Sequence, residues 1–439
     1  MAGADPFAGK HVTVMGLGLL GRGVNDVRYL AEHGARLTVT DLKTAEQLAP
    51  SLERLAGLDG VEYVLGEHRL ADFRRADFVL KAAGVPRDSP YVAEARAHGV
   101  PVEMDESLFA KLADVRLVGV TGTRGKTTTT LLLHRILAEA GRRPHLGGNI
   151  RDVATLPLLD VVAPGDAVVL ELSSWQLQGF GDAGISPDVA VFTNFLPDHL
   201  NYYGGDMDAY FADKANVYRF QRPGDVLVAG AGAAAEIARR GPAPAAELRV
   251  PGDLDRAWRL RVPGEHNRAN AALAAEAARA LGVDDDTIRR ALVSFEGVPD
   301  RLELVREHRG VRYYNDTTAT TPDALVAALA AFGHGPGGTV LIAGGADKGL
   351  DYDGAARAIA AQAKAIVALP GAATDKLLAE LDGVPVRYAA SMDDAVAEAA
   401  AAAQAGDVVV LSPGAASFGL FENEFDRGSR FVAAVGALD

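Results

Sequence analysis

Thr121-Gly122-Thr123-Arg124-Gly125-Lys126-Thr127-Thr128-Thr129 has the residue types and spacing to hold a nucleoside triphosphate. Glycines let backbone N–H groups turn toward phosphate oxygens, and a helix start adds a positive potential. In such a loop Gly122, Thr123, Arg124, Gly125 and Thr128 line the anion, Lys126 reaches the terminal phosphates and Thr127 offers its hydroxyl to magnesium. The strict phosphate-loop pattern asks for glycine at position 120, where this chain has Val120, so the loop is a variant. The competing account is a threonine-rich helix cap with an ordinary surface lysine; the order strand, loop, helix favours the nucleotide. A second glycine turn, Gly16-x-Gly18-x-x-Gly21, follows HVTVM and precedes a helix, and Asp41 ends the next strand. That is close to the spacing of an NAD-binding fingerprint, although the same turn suits any diphosphate. Glu171 closes an apolar strand, where a carboxylate either reaches a metal beside the phosphate loop or caps the next helix. His199, next to Asp198, and Lys214 complete the set; taken alone, one is a structural histidine and the other a solvated helix lysine.

The elements that must position these groups alternate. HVTVM, RLTVT, DFVLKAAG, VRLVGVTG, AVVLELS, DVAVFTN, RYYND, TVLIAGG, AIVALPG and DVVVLSPG read as strands, with Ala/Leu-rich helices between them. The Ala395–Ala405 stretch reads as a helix. This pattern predicts α/β domains with mainly parallel sheets covered on both faces. At 439 residues the chain exceeds one core. Three blocks are expected: 1–104, 105–299 and 300–439, with joins near VPVEMDESL and around Pro299. The net charge of −14 argues against a general nucleic-acid or anionic-membrane surface, while leaving room for an anionic substrate held locally. With no cysteine, disulfides, thiolate catalysis and cysteine-bound metals are excluded. No basic-then-apolar leader and no membrane-length apolar run is seen, so a cytoplasmic protein without membrane insertion is expected.

The phosphate loop resembles the ATP loop of the Mur ligases and of their relative folylpolyglutamate synthase. Further motifs follow in that family's order: Gly147-Gly148-Asn149, Glu171-Leu172-Ser173-Ser174-Trp175-Gln176-Leu177, Asp198-His199-Leu200, Lys214 and Gly264-Glu265-His266-Asn267-Arg268-Ala269-Asn270. Asp300-Arg301, Asn315-Asp316, Gly344-Gly345-Ala346-Asp347-Lys348 and Ser412-Pro413-Gly414 complete the series across essentially the whole chain. The resemblance implies a Rossmann-like N-terminal domain, a central P-loop ATPase-like domain and a C-terminal Rossmann-like α/β domain. It implies an ATP-dependent acid–amino acid ligase of peptidoglycan precursor synthesis, working through an acyl phosphate, as a monomer with two magnesium ions. Thr127, Glu171, His199 and a carbamylated Lys214 would be metal ligands. Asn270, Arg301 and Asp316 would meet the nucleotide, with domain closure before chemistry. Gly18, Leu19, Leu20, Asp41, Lys43 and Gly84 would hold the UDP of the substrate, and Asn149, Ser173, Gln176 and His199 its muramoyl-alanine arm and phosphates.

Chain length and the glycine opening point to the family's glutamate-adding branch, with UDP-N-acetylmuramoyl-L-alanine and glutamate as substrates; Thr320, Lys348, Ser417 and Phe418 would cage the glutamate. The sequence departs from the usual pattern at three places: Thr318 where a lysine is common, Glu424 where a phenylalanine is expected, and Leu20 in place of threonine. Two of these lie on the glutamate side, so both D- and L-glutamate are carried forward, D first. Two other classes also stay open, an NAD-binding oxidoreductase and a non-catalytic nucleotide-binding protein.

Overall fold

A computed structural model describes residues 5–19, 21–150, 153–332 and 338–439. Leu20, expected at the UDP turn, lies outside the described residues. Parallel strands covered on both faces bury both sides, so they are written as continuous β-branched runs. Three sheets follow from such runs. The first contains β1 (His11–Met15), β2 (Arg36–Asp41), β3 (Val61–Leu65), β4 (Phe78–Lys81) and β5 (Val102–Glu103). They lie in the order β3-β2-β1-β4-β5, all parallel. Helices α1 (Arg22–Glu32), α2 (Ala49–Arg54), α3 (Leu70–Arg75) and α4 (Pro90–Ala97) connect them.

Helix α5 (Asp105–Leu112) leads into the second sheet: β6 (Arg116–Thr121), β7 (Pro144–Gly148), β8 (Ala167–Glu171), β9 (Val189–Phe192), β10 (Val226–Ala229) and β11 (Glu247–Arg249). Its order is β11-β10-β9-β6-β8-β7, again all parallel. Between and after these strands come α6 (Lys126–Glu139), α7 (Ser174–Ala183), α8 (Met207–Ala215), α9 (Ala231–Arg240), α10 (Glu265–Ala280) and α11 (Asp285–Ser294). The third sheet holds β12 (Glu303–His308), β13 (Val311–Asn315), β14 (Thr339–Ala343), β15 (Ala365–Ala368), β16 (Val386–Tyr388) and β17 (Val408–Leu411), in the order β12-β13-β17-β14-β15-β16. Here β12 is antiparallel to β13, and the other pairs are parallel. Its helices are α12 (Pro322–Ala330), α13 (Asp353–Gln362), α14 (Ala372–Ala379), α15 (Met392–Ala402) and α16 (Glu424–Gly436).

The chain forms two compact units. Unit 1 comprises residues 1–252 and 270–290 and holds the first two sheets; unit 2 comprises 253–269 and 291–439 and holds the third. Unit 1 is continuous because one apolar cluster joins Leu17, Leu30 and Leu80 around the first sheet to Leu156, Leu170 and Phe180 around the second. No helix among the described residues is long and apolar enough to cross a membrane.

Unit 2 encloses a whole guanidinium. Arg427 on α16 is completely buried; its Nε donates to Thr317 Oγ1 at 3.1 Å, Nη1 to the Ala415 carbonyl at 3.1 Å and Nη2 to the Thr317 carbonyl at 2.8 Å. Burial pulls its pKa down to about 10, which leaves it charged at neutral pH. Arg427→Met removes a buried charge, which by itself is favourable. It also strands two carbonyls, at about 1–3 kcal/mol for each unsatisfied buried group, and leaves the Thr317 hydroxyl only its bond to the Glu424 carbonyl. The second effect is the larger, so we expect Arg427→Met to destabilise unit 2 by about 3–5 kcal/mol in urea unfolding followed by circular dichroism. Stability equal to wild type would refute this balance.

Candidate active site

The loops that leave the carboxyl ends of β6, β7, β8 and β9 meet in unit 1, where β6 lies between strands whose connections run to opposite sides. Open parallel sheets form their ligand crevices at such a point. The phosphate loop joins β6 to α6. Gly122 (φ 146°) and Gly125 (φ 81°, the N-cap of α6) have backbone angles that side chains rarely adopt. A Cβ at Gly122 would lie 1.9 Å from Thr193 Oγ1, and one at Gly125 would lie 2.3 Å from Asn270 Oδ1. The loop is braced from the end of β9: Thr123 N donates to the Asn194 carbonyl at 3.0 Å, Arg124 N to Asn194 Oδ1 at 2.8 Å, and Thr193 Oγ1 to the Arg124 carbonyl at 2.5 Å. Asn194 was not singled out from the sequence; its place directly after the DVAVF strand is the signal that could have found it.

Glu171 is buried at the end of β8. Its Oε1 accepts from Asn149 Nδ2 at 3.1 Å, and its Oε2 is buried without a hydrogen-bond partner. Lys214, in the last turn of α8, is buried as well, and its Nζ donates to the Gly122 carbonyl at 2.8 Å. The same carbonyl accepts from Lys126 Nζ at 3.1 Å, and Lys126 also donates to the Thr123 carbonyl. Burial first, and the nearby Lys126 charge second, push the Lys214 pKa well below its ordinary value. Asp206 caps α8 by accepting from the N–H groups of Asp208 and Ala209, and the Tyr210 ring lies 5.0 Å from Lys214 Nζ. Together they fix where this amine points.

His199 takes a left-handed backbone (φ 52°) and its ring rests against Trp175, centroids 4.7 Å apart. Burial lowers its pKa, opposed by Asp198 and assisted by Lys214, Lys126 and Arg124. The neutral imidazole that results is the metal-binding form. Among the described residues no three His, Asp and Glu side chains cluster to hold a metal by themselves. The chemistry present that suits a magnesium ion is the unpartnered Glu171 oxygen and the neutral His199 ring. Ser173 and Gln176 form the capping box of α7: Gln176 N donates to Ser173 Oγ, and Ser173 N and Oγ both donate to Gln176 Oε1.

At the first-domain turn Asp41 is buried and spends both oxygens on backbone, Oδ2 on Gly18 N at 3.1 Å and Oδ1 on Lys43 N at 2.9 Å. It shapes the turn. Leu19, Lys43 and Gly84 are exposed there. In unit 2, Thr320, Lys348 and Ser417 follow the ends of adjacent strands β13, β14 and β17. Lys348 Nζ donates to Thr320 Oγ1 at 3.0 Å, and mutual hydrogen bonds between Ala346 and Ala416 tie the other two loops together. Ser417 is buried and Phe418 exposed. Asp316 is buried and accepts from Ser412 Oγ at 2.9 Å and Leu302 N at 3.2 Å, while Arg301 is exposed.

Known proteins resemble the chain along its length. Residues 10–103 match the MurD-like N-terminal domain of Mur ligases, 120–245 the Mur ligase middle domain and 300–414 the Mur ligase glutamate ligase domain. The UDP-N-acetylmuramoylalanine--D-glutamate ligase of Roseiflexus sp. (strain RS-1) is 44% identical, covering 97% of this chain and 98% of its own. The enzyme of the same name from Geobacter metallireducens is 37% identical, with 98% of each chain covered. The fold is that of the crystal structure of UDP-N-acetylmuramate-alanine ligase MurC from Thermotoga maritima, with TM-score 0.60, 19% identity, and 98% and 99% of the two chains covered.

Desolvation raises the Asp316 carboxyl to about 7, against the hydrogen bonds from Ser412 and Leu302 and the charge of Arg301, which lower it. The folded chain therefore keeps a proton that the unfolded chain loses near 3.8. Stability from this group is complete below 3.8 and is lost as pH rises to about 7. Unfolding of wild type and Asp316→Asn across pH 4.5–8 should show wild type losing ground to the variant as pH rises, roughly over the span those two pKa values define. A difference that is flat or of opposite sign would refute the shift.

Proposed function

This chain belongs to the Mur ligase family, and we propose that it joins the amine of D-glutamate to the alanyl carboxyl of UDP-N-acetylmuramoyl-L-alanine at the expense of ATP, in peptidoglycan precursor synthesis. The observation that carries this reading is the pairing of a phosphate loop with a buried carboxylate and a buried amine, Glu171 and Lys214, in a chain whose full-length relatives bear that enzyme's name. Amide formation in water is uphill. A carboxylate oxygen attacks the terminal phosphorus of ATP, ADP leaves, and the glutamate amine displaces phosphate from the acyl phosphate while losing a proton. Such a site mainly positions anions and neutralises their charge.

Lys126 and the N–H groups of residues 122–128 would hold the phosphates. Asn149, Ser173, Gln176 and His199 would hold the arm of the substrate, and Gly18, Leu19, Asp41, Lys43 and Gly84 its UDP. Asn270, Arg301 and Asp316 are proposed for the nucleotide, and Thr320, Lys348, Ser417 and Phe418 for glutamate. We assign the labour to residues 1–104, 105–299 and 300–439 respectively as UDP-substrate, ATP and amino-acid domains. Two magnesium ions, held by Thr127, Glu171, His199 and a carbamylated Lys214, would supply Lewis-acid charge for the phosphoryl group. A neutral amine can attack CO2, giving a carbamate and a released proton. The depressed pKa of Lys214 favours that neutral amine, and the product would place an anion beside Lys126. The pools of ATP and UDP-linked substrate make the cytoplasm the compartment, and one chain carries every assigned residue, so a monomer suffices.

The first test is phosphate release from ATP, magnesium and UDP-N-acetylmuramoyl-L-alanine with D- or L-glutamate in separate reactions. D-glutamate is expected to turn over faster. Preference for L-glutamate would sink the D assignment, and no glutamate-dependent release would sink the ligase reading. Lys214→Ala is expected to lose roughly 10²–10³-fold in kcat, the scale of one removed electrostatic stabiliser. Short carboxylic acids should restore part of that loss; none restored would count against the carbamate.

A further inference from the structure

We propose that Arg22 is a positioning residue, acting through Asn149 to keep the free oxygen of Glu171 available at the phosphate site. Arg22 is the first residue of α1, directly after the glycine turn of the first sheet, and its side chain crosses to the ends of β7 and β8. One of its nitrogens, Nη2, lies 3.3 Å from the Gly148 carbonyl and 3.3 Å from Asn149 Oδ1. The other, Nη1, lies 3.7 Å from Oε1 of Glu106, which is completely buried at the start of α5.

Donor and acceptor polarity fixes the orientation of Asn149. A side-chain amide can present its oxygen or its NH2 in either of two flipped orientations, and its neighbours choose. A guanidinium only donates, so it fixes Oδ1 of Asn149 toward Arg22. Nδ2 must then face Glu171, where it donates to Oε1 at 3.1 Å. Glu171 is thereby held by one oxygen, and Oε2 is left buried with no partner. Without Arg22, the exposed Asn149 is anchored by Glu171 alone and is free to swing away, which would take the donor from Oε1 and release the carboxylate from its one-oxygen hold. Glu106 keeps the guanidinium in place, and Gln176 donates to the same Glu106 oxygen that faces Arg22. A helix of the UDP-side sheet is in this way wired to the carboxylate of the ATP-side sheet within one compact unit.

This inference rests on the ligase reading, and the test separates the two. Arg22→Met, Asn149→Ala and the double variant are compared with wild type by calorimetric titration of magnesium–ATP and by turnover. Outer-sphere partners of metal ligands are typically worth about 10–100-fold in affinity or activity, and Arg22→Met should weaken magnesium–ATP on that scale. The loss should nearly vanish in the Asn149→Ala background, because a residue acting through another has nothing left to act on. Losses that multiply in the double variant overturn the proposal. If Arg22→Met does not fold, Arg22→Lys is put through the same cycle: its ammonium reaches one acceptor at a time, so a smaller loss, again absent without Asn149, is expected. Wild type that binds magnesium–ATP but does not turn over sinks the ligase reading, while the binding cycle still decides the role of Arg22.

Discussion

One carbonyl oxygen, that of Gly122, accepts from two lysines, Lys126 at 3.1 Å and Lys214 at 2.8 Å. Two ammonium groups so close, one of them fully buried, cannot both stay charged cheaply; burial and like charge act in the same direction on Lys214. The surrounding structure holds the arrangement together. The N-capped helix α8 and the Tyr210 ring aim Lys214, β9 and Asn194 brace the loop that presents the carbonyl, and Gly122 allows the backbone to approach Thr193. A depressed amine is a liability in a core.

The three sheets repeat one solution. In the first two, a strand lies between neighbours reached by opposite connections: β1 between β2 and β4, and β6 between β9 and β8. In the third, β17 lies between β13 and β14. Each such point opens the carboxyl ends of the strands, and each carries a glycine-rich loop. The same geometry presents three glycine-rich loops that differ in the side chains placed around them. Function is therefore set by loops and fold by the strands beneath them.

That division explains what the sequence made legible. Lys126 and Glu171 stood out because each sits at a fixed offset from a strand or in a local motif, whereas Lys214, read alone as a solvated helix lysine, was singled out only by the family resemblance. Arg22 and Arg427 did not: they act on Gly148, Asn149, Thr317 and Ala415, and most of these partners lie more than a hundred positions away. No local period marks such a partner. The spacing of Asp41 is that of a ribose-binding acid, and its two oxygens also hold the turn, which the spacing does not show. Strands β3, β5, β7, β11, β12 and β16 escaped notice because they are partly exposed and lack the continuous apolar run, whereas β10, a buried VLVA run, was missed despite having one. Three blocks were visible in the pattern of elements, while the shared core that makes one unit of two sheets is a tertiary fact.

The departures at positions 318 and 424 can be weighed against this background. Thr318 donates its hydroxyl to the carbonyl of Asp300 at 2.9 Å, and the Asp300 carboxylate accepts from Asn315 Nδ2 at 2.9 Å. Asp300 adopts a left-handed backbone (φ 64°), so these bonds hold a strained residue immediately before Arg301. A threonine at 318 thus contributes structure of its own. Glu424 contributes through its backbone, whose carbonyl accepts from Thr317 Oγ1 at 2.7 Å. As the first residue of α16, after the Asn423 cap, its carboxylate also complements the helix dipole. Neither substitution disturbs the contact between Lys348 and Thr320 or the bridge between Ala346 and Ala416. The loops assigned to the amino acid therefore remain assembled while two of the family's usual side chains are replaced, which is what a framework carried by backbone hydrogen bonds permits.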